Sequence, residues 1–413
     1  GVDTQAGYAS ISIPGVLAAA EKTWQLHGSL PWPEIVAPAL ELAAGPIPAS
    51  KTLASWLSLA GRLLLFQQTT SRASFFNGDE PLVVGERFQI PGLKDSWEAI
   101  SRQGAAALYR GDLSARFADT ICEQGGFVSR KDLENYQATV RKPLTIESGG
   151  FQLALNPPPA AGGAAVGYLI RNCEAAWRKD LTPAQQVLIL AEAQKKLIGI
   201  REAELADPGW DTESAEKLLS LASATGPTTL QAPGTTQLSV TTSDGAMVAI
   251  TMSMGYGSGI VIPELGIACN NSLGESELNP RGFHAGEPGS RLTTNMSPMV
   301  AWHPDGRCLA LGSPGASRIT TAIAQTWLHV VLDGKSYEDS VAAPRLHLEP
   351  FGEHLRAQFE PGIDTSLLGD RFVLRSFDAT DWYFGGVKLA GIDARGKLHA
   401  VADSRREGGV EFV

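Results

Sequence analysis

Gly234-Thr235-Thr236-Gln237-Leu238-Ser239-Val240-Thr241-Thr242-Ser243-Asp244-Gly245-Ala246-Met247-Val248-Ala249-Ile250-Thr251-Met252-Ser253-Met254 is the stretch whose reading decides the fold. Gln237 to Thr242 and Ala246 to Met254 alternate with the two-residue period of strands, and Ser243-Asp244-Gly245 between them predicts a tight hairpin. Upstream, from Ala224 to Gly234, the composition shifts to Ala, Thr, Gly and Pro without periodicity or charge, which predicts an exposed, mobile connection. A strand therefore begins at a hydroxyl-bearing residue directly after a segment of small residues. If the Gly234–Thr235 bond were cut, Thr235 would gain a free α-amine within reach of its own hydroxyl. Such an amine has an ordinary pKa near 7.7–8.0 and can accept the hydroxyl proton, which makes an activated nucleophile. Taken alone, Thr-Thr is ordinary strand sequence, and most such pairs only pack.

The chain divides around this junction. Residues 1–234 read as mostly helical with some strands, and residues 235–413 as mostly β. In the first part, Val16 to Leu26 is apolar-periodic, and Trp32-Pro33 starts a second helix with Ile35, Val36, Ala39, Leu40 and Leu42 expected on one face. After Tyr109-Arg110-Gly111-Asp112, a helix with Leu113, Phe117, Ile121 and Cys122 as its buried stripe is expected to end at Gly125-Gly126. Pro143 to Leu155 reads as two strands joined at Gly149-Gly150. Thr182 is placed to cap a long helix that opens with Pro183. In the second part, Ile260–Ile262 and Gly266–Cys269 read as a strand pair. Leu309–Leu311 reads as a short strand running into Gly312-Ser313-Pro314-Gly315-Ala316-Ser317, and Ile319–Leu332 as an apolar helix.

The 413 residues, 43% hydrophobic and 19% charged, are enough for a sizeable core in one large domain or two average ones. Thirty-four Lys+Arg against forty-four Asp+Glu leave a formal charge of −10 without a basic run, which argues against nucleic acid or anionic membrane as partner. No apolar run approaches the roughly 18 residues of a membrane span. Cys122, Cys173, Cys269 and Cys308 are far apart and form no Cys-x-x-Cys pair, so neither a disulfide scaffold nor a zinc site is indicated. The unpaired cysteines lean towards a reducing compartment. A chain opening on Gly1 reads as a processed or truncated product, and any export signal would lie in a preceding segment.

Several further stretches offer chemistry. Gly312 to Ser317 is a glycine-rich turn between strand and helix, whose unpaired N–H groups and helix dipole suit a tetrahedral oxyanion and suit a phosphate or a plain helix cap equally well. No Lys-Ser/Thr follows these glycines, so a nucleotide P-loop is excluded. Asn270-Asn271-Ser272-Leu273-Gly274-Glu275 puts amides and a carboxylate at a strand end, as partners for a substrate ammonium or as a solvated turn. Thr294 and Asn295, just before Met296-Ser297-Pro298, suit a substrate carboxylate. Asn156-Pro157-Pro158-Pro159-Ala160-Ala161-Gly162-Gly163 reads as a rigid scaffold turn. The seven His lack metal-ligand spacing, and neither Gly-x-Ser-x-Gly nor His-Glu-x-x-His occurs.

Read in order, these segments resemble the gamma-glutamyltranspeptidase family of N-terminal-nucleophile hydrolases. The resemblance rests on Tyr109-Arg110-Gly111-Asp112-Leu113, Pro157 to Gly163, Thr235 to Val240, Asn270-Asn271, Met296-Ser297-Pro298, Gly312 to Arg318 and Tyr383-Phe384-Gly385-Gly386-Val387, and covers the chain from about Ser10 onward. It implies an α+β fold, the αββα four-layer sandwich, with the family's opening segment missing from this chain. It implies a precursor that cuts itself between Gly234 and Thr235, giving a large-subunit-like part (1–234) and a small-subunit-like part (235–413). Thr235 would be nucleophile and, through its new amine, base. Ser253 would support it, and Gly315 and Ala316 would supply oxyanion amides. Thr294 and Asn295 fall where the family holds the glutamyl α-carboxylate, and Ser272 and Glu275 where it meets the α-amine. No cofactor and no metal are implied. The partner expected is a small-molecule γ-glutamyl amide such as glutathione, with a glutaryl- or cephalosporin-type acylase, or a non-catalytic family member, as the alternatives.

Three departures from the family pattern stand out. The carboxylate-clamping arginine of the opening segment is absent, Gly255 stands where transpeptidases carry an asparagine, and the stretch from Glu275 to Thr294 is short. A shorter lid admits water and larger acyl groups, which predicts hydrolysis over transfer.

Overall fold

The structure is a computed structural model and describes residues 5–66, 68–178, 180–204, 211–220, 234–279, 281–283 and 285–413. The expected mobile connection therefore lies outside the described residues except for Gly234. Two compact units are present, one formed by Gly1–Val140, Met254–Glu275 and Gly282–Ser290, the other by Arg141–Ser253, Ser276–Arg281 and Arg291–Val413.

The first unit is largely helical. Its main core packs Trp32, Val36, Ile100, Tyr109, Phe117, Ile121 and Leu133 against Ile260 and Ile262. The helix Trp32–Ala44 buries Trp32, Val36 and Ala43, whereas Ile35 and Leu42 are exposed, which corrects the expected stripe. At about 100° per residue, Val36 and Ala43 lie about 40° and 20° to one side of Trp32, whereas Ile35 and Leu42 lie about 60° and 80° to the other, so the buried line runs through Trp32, Val36 and Ala43. The same argument corrects Cys122. The helix Ser114–Glu123 buries Phe117, Ala118 and Ile121, and Cys122, one step beyond the stripe, is exposed. Val261–Ile262 and Ile267–Ala268 form the expected antiparallel pair.

The second unit is built on an antiparallel sheet. Leu144–Ser148 (β1) and Phe151–Leu155 (β2) form a hairpin whose reversal, Gly149-Gly150, takes φ of +56° and +83°. Two successive residues with positive φ are what the right-handed twist of a two-residue hairpin requires, and glycine reaches that region without strain. Gly162–Ala176 (α1), Pro183–Glu204 (α2) and Thr212–Ser220 (α3) follow. The start of α2 has the expected cap, with the Gln185 amide donating to Thr182 Oγ1 and the Thr182 amide to Gln185 Oε1. Next come Thr235–Thr241 (β3), Met247–Ser253 (β4), Met299–Trp302 (β5), Cys308–Gly312 (β6) and Arg318–Val331 (α4). Leu346–Phe351 (β7), His354–Phe359 (β8), Val373–Ser376 (β9), Lys388–Ile392 (β10) and Leu398–Ala402 (β11) complete the unit.

The main sheet has six strands in the order β11-β10-β6-β5-β2-β1. Alternation assigns its two faces. Leu153, Leu155, Met299, Ala301, Leu309, Leu311 and Leu389 join Val166, Ile170, Ile323 and Trp327 of α1 and α4 in one core. Each buried Leu, Ile, Val or Met side chain among them contributes about 1.5–3 kcal/mol. The other face carries the β3–β4 hairpin, where Ser239 Oγ donates to the Lys388 carbonyl of β10 at 2.9 Å. No helix among the described residues is long and apolar enough to cross a membrane.

Candidate functional site

The register of the main sheet brings four of the singled-out motifs together. Met299 at the start of β5 stands opposite both Leu155 at the end of β2 and Leu311 near the end of β6. Gly312 in turn stands opposite Lys388, the first residue of β10. Because neighbouring strands run antiparallel, residues 156–163, 294–298, 312–317 and 383–387 all emerge at one end of the sheet.

The β3–β4 hairpin brings Thr235 to the same end. In β3 the residues turned towards the sheet are Thr235, Gln237 and Ser239, since Gln237 is buried while Thr236, Leu238 and Val240 are exposed. Gln237 meets Gly312 so closely that a Cβ on Gly312 would lie 2.2 Å from Gln237 Oε1. The carboxamide is oriented by Thr251 Oγ1, which donates to Oε1 at 2.5 Å, while its own Nε2 donates to Ser239 Oγ at 3.0 Å. Thr235 pairs with Ser253 across the hairpin, and their hydroxyl oxygens are 3.0 Å apart with either able to donate. In the continuous chain the Thr235 nitrogen is an amide and cannot act as a base. A free amine there would lie within its own residue's reach of the hydroxyl.

The turn after β6 is locked from below. Ser313 is fully buried, and its hydroxyl donates to the Pro314 carbonyl at 2.7 Å and accepts the Gly386 amide at 3.0 Å. Gly315 has φ +135°, and a Cβ on it would lie 3.0 Å from the Cα of Gly385. Glycine is needed here for both the conformation and the approach. Ala316 is left-handed, φ +53°, a strained setting for a residue with a Cβ. Among the described residues the Gly315 and Ala316 amides donate to no protein acceptor. Two such N–H groups at the start of a 14-residue helix can hold a developing negative charge.

The proline-rich turn grips the segment before β5. Thr294 O accepts the Ala161 and Gly162 amides at 2.9 and 3.1 Å, with a parallel bridge from Ala160 to Thr294. Asn156 Nδ2 donates to Met296 O at 3.2 Å, and a Cβ on Gly162 would lie 2.3 Å from Asn295 O. Asn295 is buried, and its Nδ2 donates to Glu277 Oε2 at 3.2 Å. Glu277 was not singled out by sequence reasoning. Its one signal is that it follows Glu275 by two residues.

Ser272 and Glu275 belong to the first unit, whereas Thr235, Ser253, Thr294, Asn295, Gly315 and Ala316 belong to the second. Ser272 lies in a short 3-10 turn, and Glu275 is 9% exposed. A Cβ on Gly255 would lie 1.8 Å from Glu275 Oε1 and 2.2 Å from Asn271 Oδ1, so this glycine leaves room for the carboxylate. The neighbouring asparagines hold main chain in place. Asn270 accepts the Ser12 amide at 3.1 Å and donates to Ser12 O at 3.0 Å. Asn271 donates to Gln5 O at 2.9 Å.

The comparisons with known proteins agree with this architecture. The glutathione hydrolase proenzyme of Escherichia coli K12 is 27% identical over 430 residues, a match covering 95% of this chain and 73% of that protein. The glutathione hydrolase proenzyme of Bacillus subtilis 168 is 24% identical, with 97% of this chain and 74% of that protein covered. Among solved structures, the cephalosporin acylase from Bacillus halodurans superposes with a TM-score of 0.77 at 22% identity, covering 98% of this chain and 79% of that one. The family model described as gamma-glutamyltranspeptidase matches residues 2–413, and the chain belongs to that family.

Proposed function

We propose that this chain is a self-processing γ-glutamyl hydrolase of the threonine-nucleophile type, acting on γ-glutamyl amides such as glutathione. The observation that carries the reading is the 3.0 Å contact between the Thr235 and Ser253 hydroxyls, at the first residue of a strand whose inward face meets Gly312. The relatives named glutathione hydrolase proenzyme support both the substrate class and processing of a precursor. The hairpin and the six-stranded sheet would form the two inner layers of the αββα sandwich.

Cleavage of the Gly234–Thr235 bond frees the α-amine. Thr235 Oγ then attacks the amide carbonyl, its proton passing to that amine, while the Gly315 and Ala316 amides hold the oxyanion. The C–N bond breaks as the amine returns the proton to the leaving nitrogen. Water, deprotonated by the same amine, hydrolyses the resulting ester. Ser253 orients the nucleophile. Thr294 would contact the substrate carboxylate with Asn295.

A second reading is an acylase for glutaryl-type amides, in keeping with the structural neighbour named cephalosporin acylase. Intact mass of the purified chain and of Thr235→Ala tests processing. Fragments 1–234 and 235–413 are expected from the wild type alone, and an uncut, folded wild type would overturn the reading in favour of a non-catalytic member. Comparing γ-glutamyl with des-amino glutaryl anilides then decides between the substrates. An equal or faster glutaryl reaction removes the role given to Glu275.

A further inference from the structure

The peptide planes of the Gly312–Ser317 turn show what aims its amides. In a trans peptide the carbonyl and the N–H point in opposite directions. The Pro314 carbonyl accepts the Ser313 hydroxyl at 2.7 Å, which turns the Gly315 amide away from Ser313. The Gly315 carbonyl accepts the Arg318 amide at 2.9 Å, which turns the Ala316 amide away from the body of α4. Ala316 is left-handed, and such a setting persists only where neighbours over-determine it.

Arg318, the first residue of α4, is in turn held by its side chain. It is 1% exposed, donates Nε–H to the Tyr383 carbonyl at 3.1 Å and Nη1–H to Ser317 Oγ at 2.9 Å, and lies over the Tyr383 ring at 4.6 Å. The guanidinium thereby laces the start of the helix to the segment that carries Gly385, whose Cα a Cβ on Gly315 would meet at 3.0 Å.

The charge of Arg318 is in an unusual place. Among the described residues no carboxylate pairs with it, and Glu349, which accepts the Tyr383 hydroxyl, is paired with Arg356. A cation is disfavoured at a helix N-terminus, and burial without an anion adds to the cost. The Tyr383 face and the two acceptors offset part of it. Negative charge forming at the Gly315 and Ala316 amides would complement the rest.

We infer that Arg318 is the positioning residue of the oxyanion turn. Its main chain aims the Ala316 amide, its side chain anchors that main chain to Tyr383 and Ser317, and its unpaired charge favours an anion at the turn. The inference rests on acyl transfer at Thr235, whichever acyl group is carried.

The test is steady-state turnover of the processed wild type, Arg318→Lys, Arg318→Met and Ser317→Ala, with whichever anilide, γ-glutamyl or glutaryl, the wild type cleaves faster. Arg318→Lys keeps the charge without the fork and is expected to lower kcat about 10-fold, and Arg318→Met about 100-fold, with KM within about 3-fold of wild type. Ser317→Ala removes one anchor and should lower kcat about 3-fold with the same split. The Tm of each variant keeps the assay below its unfolding. Wild-type kcat in the folded variants, or a loss confined to KM, overturns the inference and leaves the Thr235 reading standing. If neither Arg318 variant folds and processes, Ser317→Ala decides. A wild type that neither processes nor turns over fails the Thr235 reading itself, and the role of Arg318 falls with it.

Discussion

Gly312 and Gln237 stand in such contact that no side chain fits between them, a Cβ at 312 falling 2.2 Å from the Gln237 carboxamide oxygen. This approach fixes the height of the β3–β4 hairpin above the main sheet, and so the position of Thr235 two residues earlier. Gly312→Ala is expected to destabilise the protein by about 1–3 kcal/mol through overpacking. Gln237→Ala in the same chain should return part of the loss. Denaturant unfolding of the two variants and their combination measures the coupling, and simple additivity would contradict the contact.

Thr235→Ala is expected to leave the precursor uncut and without turnover. Thr235→Ser, which keeps a hydroxyl, should still process. Ser253→Ala removes one hydrogen bond worth about 1 kcal/mol, so processing should slow by roughly 5–10-fold rather than stop. Single-turnover processing followed on denaturing gels checks all three, and a Ser253→Ala rate equal to wild type would contradict the pairing.

Ala316 occupies a conformation that costs about 1–2 kcal/mol for any residue with a Cβ. Ala316→Gly is expected to be neutral or stabilising, offset by greater freedom of the unfolded chain. Ala316→Val should destabilise by more than the alanine strain. Differential scanning calorimetry separates the two, and the turnover of Ala316→Gly tells whether the strain itself is used.

Acid should weaken the second unit through Asp403. Burial raises its carboxyl pKa, but the Arg345 and Arg405 guanidinium groups overcome that and hold it below the ordinary value. A depressed folded-state pKa gives stability that is fully present above the unfolded value near 3.9 and is lost as pH falls through the folded one. The wild type should therefore lose stability as pH drops below about 4. Asp403→Asn, stripping the carboxylate from two buried arginines, is expected to cost about 3–5 kcal/mol at neutral pH and to flatten that acid dependence. Urea midpoints between pH 3 and pH 7 check the slope.

What was legible in the sequence was local. Gly149-Gly150, Ser243-Asp244-Gly245 and Thr182-Pro183 each announce a turn or cap through conformations their own neighbours require, and β1–β4 and α2 follow from them. The helix Trp32–Ala44 shows where that reading slips. Ile35 and Leu42 are apolar, yet Trp32 and Val36 set the buried line. Contacts across long separations carry no such mark. Asn270 spends its side chain on Ser12, 258 residues away, and Glu277 meets Asn295 only because the chain folds back. Arg318 was visible as the end of a motif, but its burial under the Tyr383 ring and against the Tyr383 carbonyl depends on a residue 65 positions later.

The opposite rim of the main sheet is closed by Gly149-Gly150, by the 303–307 reversal in which the His303 amide donates to Arg307 O, and by the 393–397 reversal in which the Asp393 amide donates to Lys397 O. The candidate site and these three tight reversals thus lie at opposite ends of the same strands. Lengthening these reversals, or fusing a reporter domain into one of them, can remodel that rim while the strands transmit little of the change to Thr235. The fold thereby offers separate handles for immobilisation and for altering selectivity.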